Sequence, residues 1–427
     1  MAVAERGACP KGGNNGVFAD LHAALTPHQA QVEAERCFYC YDAPCTTACP
    51  TSIDIPLFIR QISTGNALGA AGTILEANIM GAMCARVCPT EQLCEEACVR
   101  NTAEEQPVRI GLLQRHATDA LLADGRQLFA KGAETGKTVA VVGAGPAGLA
   151  CAHALARAGH AVTVFEGRDK AGGLNEYGIA AYKAVDGIAA REVDYILGVG
   201  GIEVKTGTRL GTDVSLDLLR AQFDAVFLGM GLGGVNAVGV AGEDLDGVFD
   251  AVEVIAKIRQ GEPVAVGRRA IVIGGGMTAI DIAVQIRLLG AEDVTIVYRG
   301  EEARMKASPY EREVARTRDV RIKTGLKPVR ILGLNGKVTG VEFAGPGGEM
   351  EIIAADQVFK AVGQKFLSGE AAVALEGGRI KVDAERATSL PGVYAGGDCV
   401  AGGQDLTVAA VEDGKIAARA IDAYLRA

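Results

Sequence analysis

The chain has 427 residues, of which 49% are hydrophobic and 22% charged, enough apolar material for two or three packed domains and too much for a disordered polymer. A formal charge of −9 and a pI near 5.3 argue against a nucleic-acid-binding surface and point to small molecules or protein partners. The longest apolar run, from Thr138 to Ala152, is broken by three glycines and a proline, so no membrane span is expected.

The N-terminal stretch MAVAERGACPKGGNNGVFAD lacks the apolar core of a secretory signal, so the chain is expected in the cytoplasm. In that reducing compartment, clustered thiols serve as metal ligands or redox groups more often than as structural disulfides. The clustering is strong. Of eleven cysteines, Cys37, Cys40, Cys45, Cys49, Cys84, Cys88, Cys94 and Cys98 lie between residues 37 and 98, while Cys9, Cys151 and Cys399 stand alone. The first run reads C-x2-C-x4-C-x3-C-P, and the second also carries a Cys-Pro step at Cys88-Pro89. Such runs are similar to those of two-cluster ferredoxins, in which one cysteine of each run crosses to the other cluster; the x4 gap departs from the usual x2. Thiolates also suit zinc, so two structural zinc sites are an alternative on spacing alone. Around the cysteines, Ile55, Phe58, Ile59 and Ile62 fall at helical spacing, and RIGLLQRHATDALL from Arg109 repeats the pattern. A helical unit is expected over residues 1–130.

From Lys137 the texture changes to strand, tight turn, helix, strand. In Gly143-Ala144-Gly145-Pro146-Ala147-Gly148 the first glycine makes the turn, the second admits a phosphate against bare backbone, and Gly148 lets helix and strand approach closely. Glu166 ends the next strand, where its carboxylate can accept a ribose diol. The layout repeats from Arg268, with Gly274-Gly275-Gly276-Met277-Thr278-Ala279 as the turn and Arg299 at the strand end. An arginine there suits a ribose 2′-phosphate and so NADP, where an acid would suit NAD; the alternative is a solvated surface residue. Two dinucleotide units suggest hydride passage from a nicotinamide to a flavin. Towards the C-terminus, Gly397 and Asp398 in AGGDC fit a ribityl contact, and a helix starting near Thr407 could aim its positive end at the flavin pyrimidine edge. Gly363 in KAVGQ reads either as a point of close cofactor approach or as a strand-end turn.

Taken together, the cysteine pattern, GAGPAGLA, GGLNEYGI, GGGMTAIDIA, VYR and AGGDC followed by TVAAVEDGK resemble the flavin subunit of bacterial dihydropyrimidine dehydrogenase, within the superfamily of the glutamate synthase small subunit. The likeness runs from about Glu33 to the end of the chain. It implies an N-terminal helical iron-sulfur domain followed by two nested Rossmann-like domains in an α/β fold. The FAD domain is then expected at 131–245 and 365–427 and the NAD(P)H domain at 246–364. It implies FAD, two [4Fe-4S] clusters and NADH or NADPH, with Gly173 and Leu174 among the flavin contacts. One cluster would be held by Cys37, Cys40, Cys45 and Cys98. The other would be held by Cys49, Cys88, Cys94 and Gln114, leaving Cys84 spare, whereas spacing alone makes Cys84 a ligand.

The resemblance carries one departure: Gly300 follows Arg299 where the family often has a second basic residue, and Arg304 is the nearest substitute. It also implies a separate FMN-containing partner that reduces uracil or thymine, because too few residues remain here for a barrel of about 250 residues. Hydride transfer between cofactors needs no acid or base from the protein, so no catalytic residue is assigned. Three rivals are a glutamate synthase small subunit, a thioredoxin-reductase-like enzyme, and a zinc-stapled binding module without catalysis. The second needs a redox cysteine pair near the flavin, and this chain has no C-x-x-C beyond residue 131.

Overall fold

In a computed structural model, residues 16–367 and 372–427 are described. Cys9 and most of the N-terminal stretch read above lie outside them. Two compact units emerge among the described residues, one of residues 22–176, 186–233, 366–367 and 372–427, the other of 16–21, 177–185 and 234–365.

The larger unit begins with helices whose ends are written in the sequence. Thr26 caps Pro27–Glu35 through a reciprocal pair with Gln29, and Asp54 and Asn66 cap Ile55–Ser63 and Ala67–Ala77 by accepting backbone N–H groups. Ile110–Asp124 stops at Gly125, whose φ of 76° a β-carbon would disfavour. Ile55, Phe58, Ile59 and Ile62, expected on one helical face, are all buried. They share one core with Leu113, Ala117 and Leu121 of Ile110–Asp124. No single described helix is long and apolar enough to cross a membrane.

The same unit continues as a parallel five-stranded sheet in the order Val393–Ala395, Ala225–Leu228, Thr138–Val142, Ala161–Phe165, Ile202–Lys205. Thr138–Val142 lies at the point where the strand order reverses, and in such sheets ligands bind at the carboxyl ends there. The helices Pro146–Arg157 and Thr407–Arg426 pack closely because Gly414 carries no side chain: a β-carbon would lie 2.2 Å from the Ala147 carbonyl oxygen.

The smaller unit has a second parallel sheet, ordered Val248–Asp250, Gln357–Ala361, Arg269–Gly274, Asp293–Tyr298, Val320–Thr324. A three-stranded antiparallel sheet, Lys327–Leu334, Lys337–Ala344 and Met350–Ala354, is inserted before its last-entered strand. The strand pair Gly234–Val235 with Gln364–Lys365 puts the start of this unit ahead of the expected residue 246. Residues 177–185 join it although they sit between elements of the other unit in sequence. Lys183 explains this, since its buried Nζ lies 2.7 Å from both Asp281 and Glu311. Tyr182 beside it is fully buried and donates to Asp281 at 3.2 Å. A buried ammonium between two carboxylates is costly to pull apart, so the segment is pinned.

Candidate cofactor-binding sites

Cys37, Cys40, Cys45 and Cys98 line one cavity. What returns Cys98 to the first cysteines is a set of ion pairs and hydrogen bonds, not proximity in sequence. Buried Glu33 takes Arg36 and Arg109, Arg36 donates to the carbonyls of Gln106 and Pro107, and Arg100 donates to the Arg36 carbonyl. Burial, then the charges of Cys37 and Cys98, push the Cys45 thiol up to about 12. Four thiols gathered round one cavity repel one another as thiolates unless a cation compensates them, which is the donor chemistry of a metal cluster.

A second cavity is lined by Cys49, Cys84, Cys88, Cys94 and Gln114. Cys84 lies on Gly81–Val87, one turn before Cys88, and pairs its thiol with that of Cys88 across the cavity wall they share. This pairing, with burial and the charges of neighbouring thiols, holds Cys88 well above its ordinary value. Gln114 is buried on Ile110–Asp124 and spends its Nε2 on the Gly81 carbonyl at 2.7 Å, which leaves the side-chain oxygen as its free donor to a metal. The geometry brings together both the spacing-derived ligand set and the one containing Gln114. Among the described residues no three or more His, Cys, Asp or Glu side chains are placed to hold a single metal ion.

At the carboxyl end of Thr138–Val142, Gly143 has φ 97°, and β-carbons on Gly143 and Gly148 would fall 2.4 and 1.9 Å from carbonyl oxygens of Gly229 and Gly143. Gly145 and Gly173 approach closely, a β-carbon on Gly173 falling 2.6 Å from the Gly145 Cα, and Gly172 N–H donates to the Ala144 carbonyl at 2.7 Å, folding Gly173 and Leu174 over the turn. Glu166 accepts the Ala144 N–H at 2.8 Å and the Arg168 N–H at 2.9 Å. Its carboxylate is therefore fixed beside the phosphate turn with lone pairs left for a diol. Gly397, at φ 79°, approaches Ala147 and donates to Asp413 at 2.8 Å, while burial pushes the Asp398 carboxyl up to about 6. Thr407 opens the C-terminal helix and donates from its hydroxyl to Asn175 at 2.8 Å. These backbone openings, a helix N-terminus and a terminal acid fit a dinucleotide.

In the smaller unit Gly274, at φ 152°, abuts Ala361, whereas the space around Gly276 is empty to 4 Å. Met277 and Thr278 start the helix Met277–Leu288, and Ala279 is buried in the third turn position. The pyrophosphate of a nicotinamide dinucleotide fits that opening. Arg299 and Arg304 are exposed, with no acidic partner among the described residues, and the Tyr298 hydroxyl donates to the Arg304 carbonyl at 3.0 Å, folding the loop between them back. If both guanidinium groups meet a 2′-phosphate, Arg299→Ala lowers kcat/KM for NADPH about tenfold or more and leaves NADH within about twofold; steady-state kinetics with the two nucleotides measure it. Gly363, at φ 93°, sits in a turn whose carbonyl accepts from Asn236, so the turn alone explains the glycine.

Residues 137–414 match the pyridine nucleotide-disulphide oxidoreductase model, and residues 14–126 match dihydropyrimidine dehydrogenase domain II, 4Fe-4S cluster. The NAD-dependent dihydropyrimidine dehydrogenase subunit PreT of Salmonella typhimurium is 36% identical over 407 residues, covering 95% of this chain and 97% of that protein. The chain belongs to the flavin and iron-sulfur subunit family of dihydropyrimidine dehydrogenase and glutamate synthase. As a member of that family it is an NAD(P)H-dependent FAD and [4Fe-4S] oxidoreductase. The glutamate synthase [NADPH] small chain of Escherichia coli is 35% identical over 446 residues, covering 96% of this chain and 94% of that one. Among solved structures, the thioredoxin reductase of T. acidophilum matches with TM-score 0.56 at 24% identity, covering 67% of this chain and 98% of that chain. That likeness concerns the fold alone. Cys151 and Cys399, the cysteines of the flavin-type half, are both buried, and burial pushes Cys399 up to about 12, so neither is suited to thiol exchange.

Proposed function

We propose that this chain is the electron-input subunit of a heteromeric dihydropyrimidine dehydrogenase, serving a separate FMN-containing subunit that reduces uracil or thymine. The observation that carries this reading is the economy of the alignment. Dihydropyrimidine dehydrogenase subunits cover 95% of the chain in 407 aligned positions, whereas the glutamate synthase small chain needs 446 for 96%. A shorter alignment at the same coverage means fewer gaps, and gaps fall mostly in loops, where partner contacts reside.

In this reading Gly143, Gly145, Ala147, Gly148 and Glu166 hold the FAD pyrophosphate and ribose, with Gly173, Leu174, Gly397, Asp398 and Thr407 around the rest of the cofactor. Gly274, Gly276, Met277 and Thr278 receive the nicotinamide dinucleotide. Cys37, Cys40, Cys45 and Cys98 hold one cluster, and Cys49, Cys88, Cys94 and Gln114 the other. When bound, these groups turn a two-electron hydride donor into a source of single electrons. The protein orders their traffic by burial. Val408, next to Thr407, lines the second thiol cavity, so the inner cage stands beside the flavin end. The first cage is bordered by Phe38, which is 54% exposed, and its thiols are only half-buried, which suits delivery to another chain.

The test is to purify the chain with whatever subunit accompanies it and follow NADH and NADPH oxidation. Oxidation that depends on uracil or thymine, with dihydropyrimidine formed in equal amount, is expected. Indifference to pyrimidines, together with glutamate formation from glutamine and 2-oxoglutarate, would overturn the reading.

A further inference from the structure

Asn78 follows the helix Ala67–Ala77 and is completely buried. Its side-chain oxygen accepts the Met80 N–H at 3.0 Å. Because that N–H needs an acceptor, the orientation of the amide is fixed, with the oxygen toward Met80 and the NH2 group away from it. The Nδ2 so directed has no hydrogen-bond partner among the described residues. Buried amide donors are almost always satisfied, and an orphan marks a missing acceptor. Asn78 lines the second thiol cavity with Cys49, Cys88, Cys94 and Gln114. Gln114 already directs one N–H of its Nε2 to the Gly81 carbonyl, whereas the Nδ2 of Asn78 has no acceptor among the described residues.

We propose that the Asn78 amide donates a hydrogen bond to a sulfur of the cluster held in this second cage and raises the reduction potential of that cluster. The assignment rests on the reading that Cys49, Cys88, Cys94 and Gln114 hold a cluster. A donor aimed at thiolate or sulfide stabilises the more negative, reduced state more than the oxidised one, so the group becomes easier to reduce. The position of the amide is also tied to the flavin end of the unit. Met80, which holds the Asn78 oxygen, receives Asn175 Nδ2 on its sulfur at 3.5 Å, and the Asn175 oxygen accepts from Thr407 at 2.8 Å. Asn78 is therefore a tuning residue set on a chain of contacts from the C-terminal helix to the cage.

The experiment uses the intact holoprotein. Native protein labelled with 15N in asparagine side-chain amides, reduced and studied by pulsed EPR, is expected to show a nitrogen coupling on one of two cluster signals. Asn78→Asp retains the acceptor for Met80 and removes the donor; Asn78→Ala removes both. In each, the reduced-to-oxidised ratio of that cluster at fixed potential falls about tenfold, a downward shift of about 59 mV for one electron, while the other cluster keeps its midpoint. Two cluster signals with no amide coupling in native protein, or unshifted midpoints in iron-replete variants, overturn the assignment alone. A native chain with only one cluster overturns it together with the ligand reading. The native-protein measurement decides the matter if the variants lose iron.

Discussion

Cys94→Ser is expected to reduce the iron content from about eight atoms per chain to about four and to stop electron delivery to a protein acceptor, with at least a hundredfold loss of coupled turnover. FAD content and the bleaching of the flavin by NAD(P)H remain. The reason is local. Burial comes first and the neighbouring charges of Glu95, Cys49 and Cys45 second in holding the Cys94 thiol well above its ordinary value. It is thus a side chain that only a bound cation makes worthwhile as a thiolate, and a serine hydroxyl in the same place ionises far less readily. The glycine turn proposed to hold FAD is built on Thr138–Val142 and Pro146–Arg157, elements that do not depend on the cage thiols. The companion variants separate the two ligand sets. Cys84→Ser retains both clusters if Gln114 is the fourth ligand, and Gln114→Ala then loses or alters the second cluster signal. Iron and acid-labile sulfide analysis with EPR reads all three. Loss of iron in Cys84→Ser with retention in Gln114→Ala would reverse the assignment.

These expectations differ in how far they could be read without coordinates. The two glycine turns were legible because their constraint is steric and local: a β-carbon at Gly148 or Gly274 meets a carbonyl within 2.2 Å, and sequence spacing encodes that clash. The helix ends at Thr26, Asp54 and Asn66 are also local, each a side-chain oxygen that accepts a backbone N–H three residues on. The partition of the thiols was not legible, because Cys98 reaches Cys37 through Glu33, Arg36, Arg100 and Arg109, charged residues that look like ordinary surface positions in the sequence. The resemblance implied a grouping, and Cys37, Cys40, Cys45 and Cys98 do line one cavity, while the second cavity contains Cys84 as well as Gln114. Asn78 was missed altogether. A polar residue after a helix reads as a cap, and only its complete burial and unsatisfied nitrogen distinguish it. The docking of residues 177–185 was equally hidden, since Lys183 finds its carboxylates 98 and 128 positions away. A buried ion pair of that separation leaves no local periodicity.

Gly276→Val is expected to leave the fold and bound FAD unchanged while weakening NADH and NADPH binding at least a hundredfold, about 2.7 kcal/mol. The contrast with the neighbouring turn glycines makes the case. A β-carbon at Gly274 would lie 2.2 Å from the Ala361 oxygen, and at Gly275 it would lie 2.5 Å from the Tyr298 ring, so substitutions there disturb the protein itself. At Gly276 nothing stands within 4 Å, and its φ of −97° and ψ of 179° are extended backbone that valine adopts readily. The emptiness is therefore not demanded by packing. It lies at the N-terminus of Met277–Leu288, where backbone N–H groups and the helix dipole favour an anion, and two methyl groups would take the place of the pyrophosphate. Thermal unfolding, flavin content and nucleotide titration by flavin bleaching test this together. Normal stability and flavin with unchanged nucleotide affinity would show that the dinucleotide binds elsewhere, because a side chain standing where the phosphates must lie cannot be neutral to them.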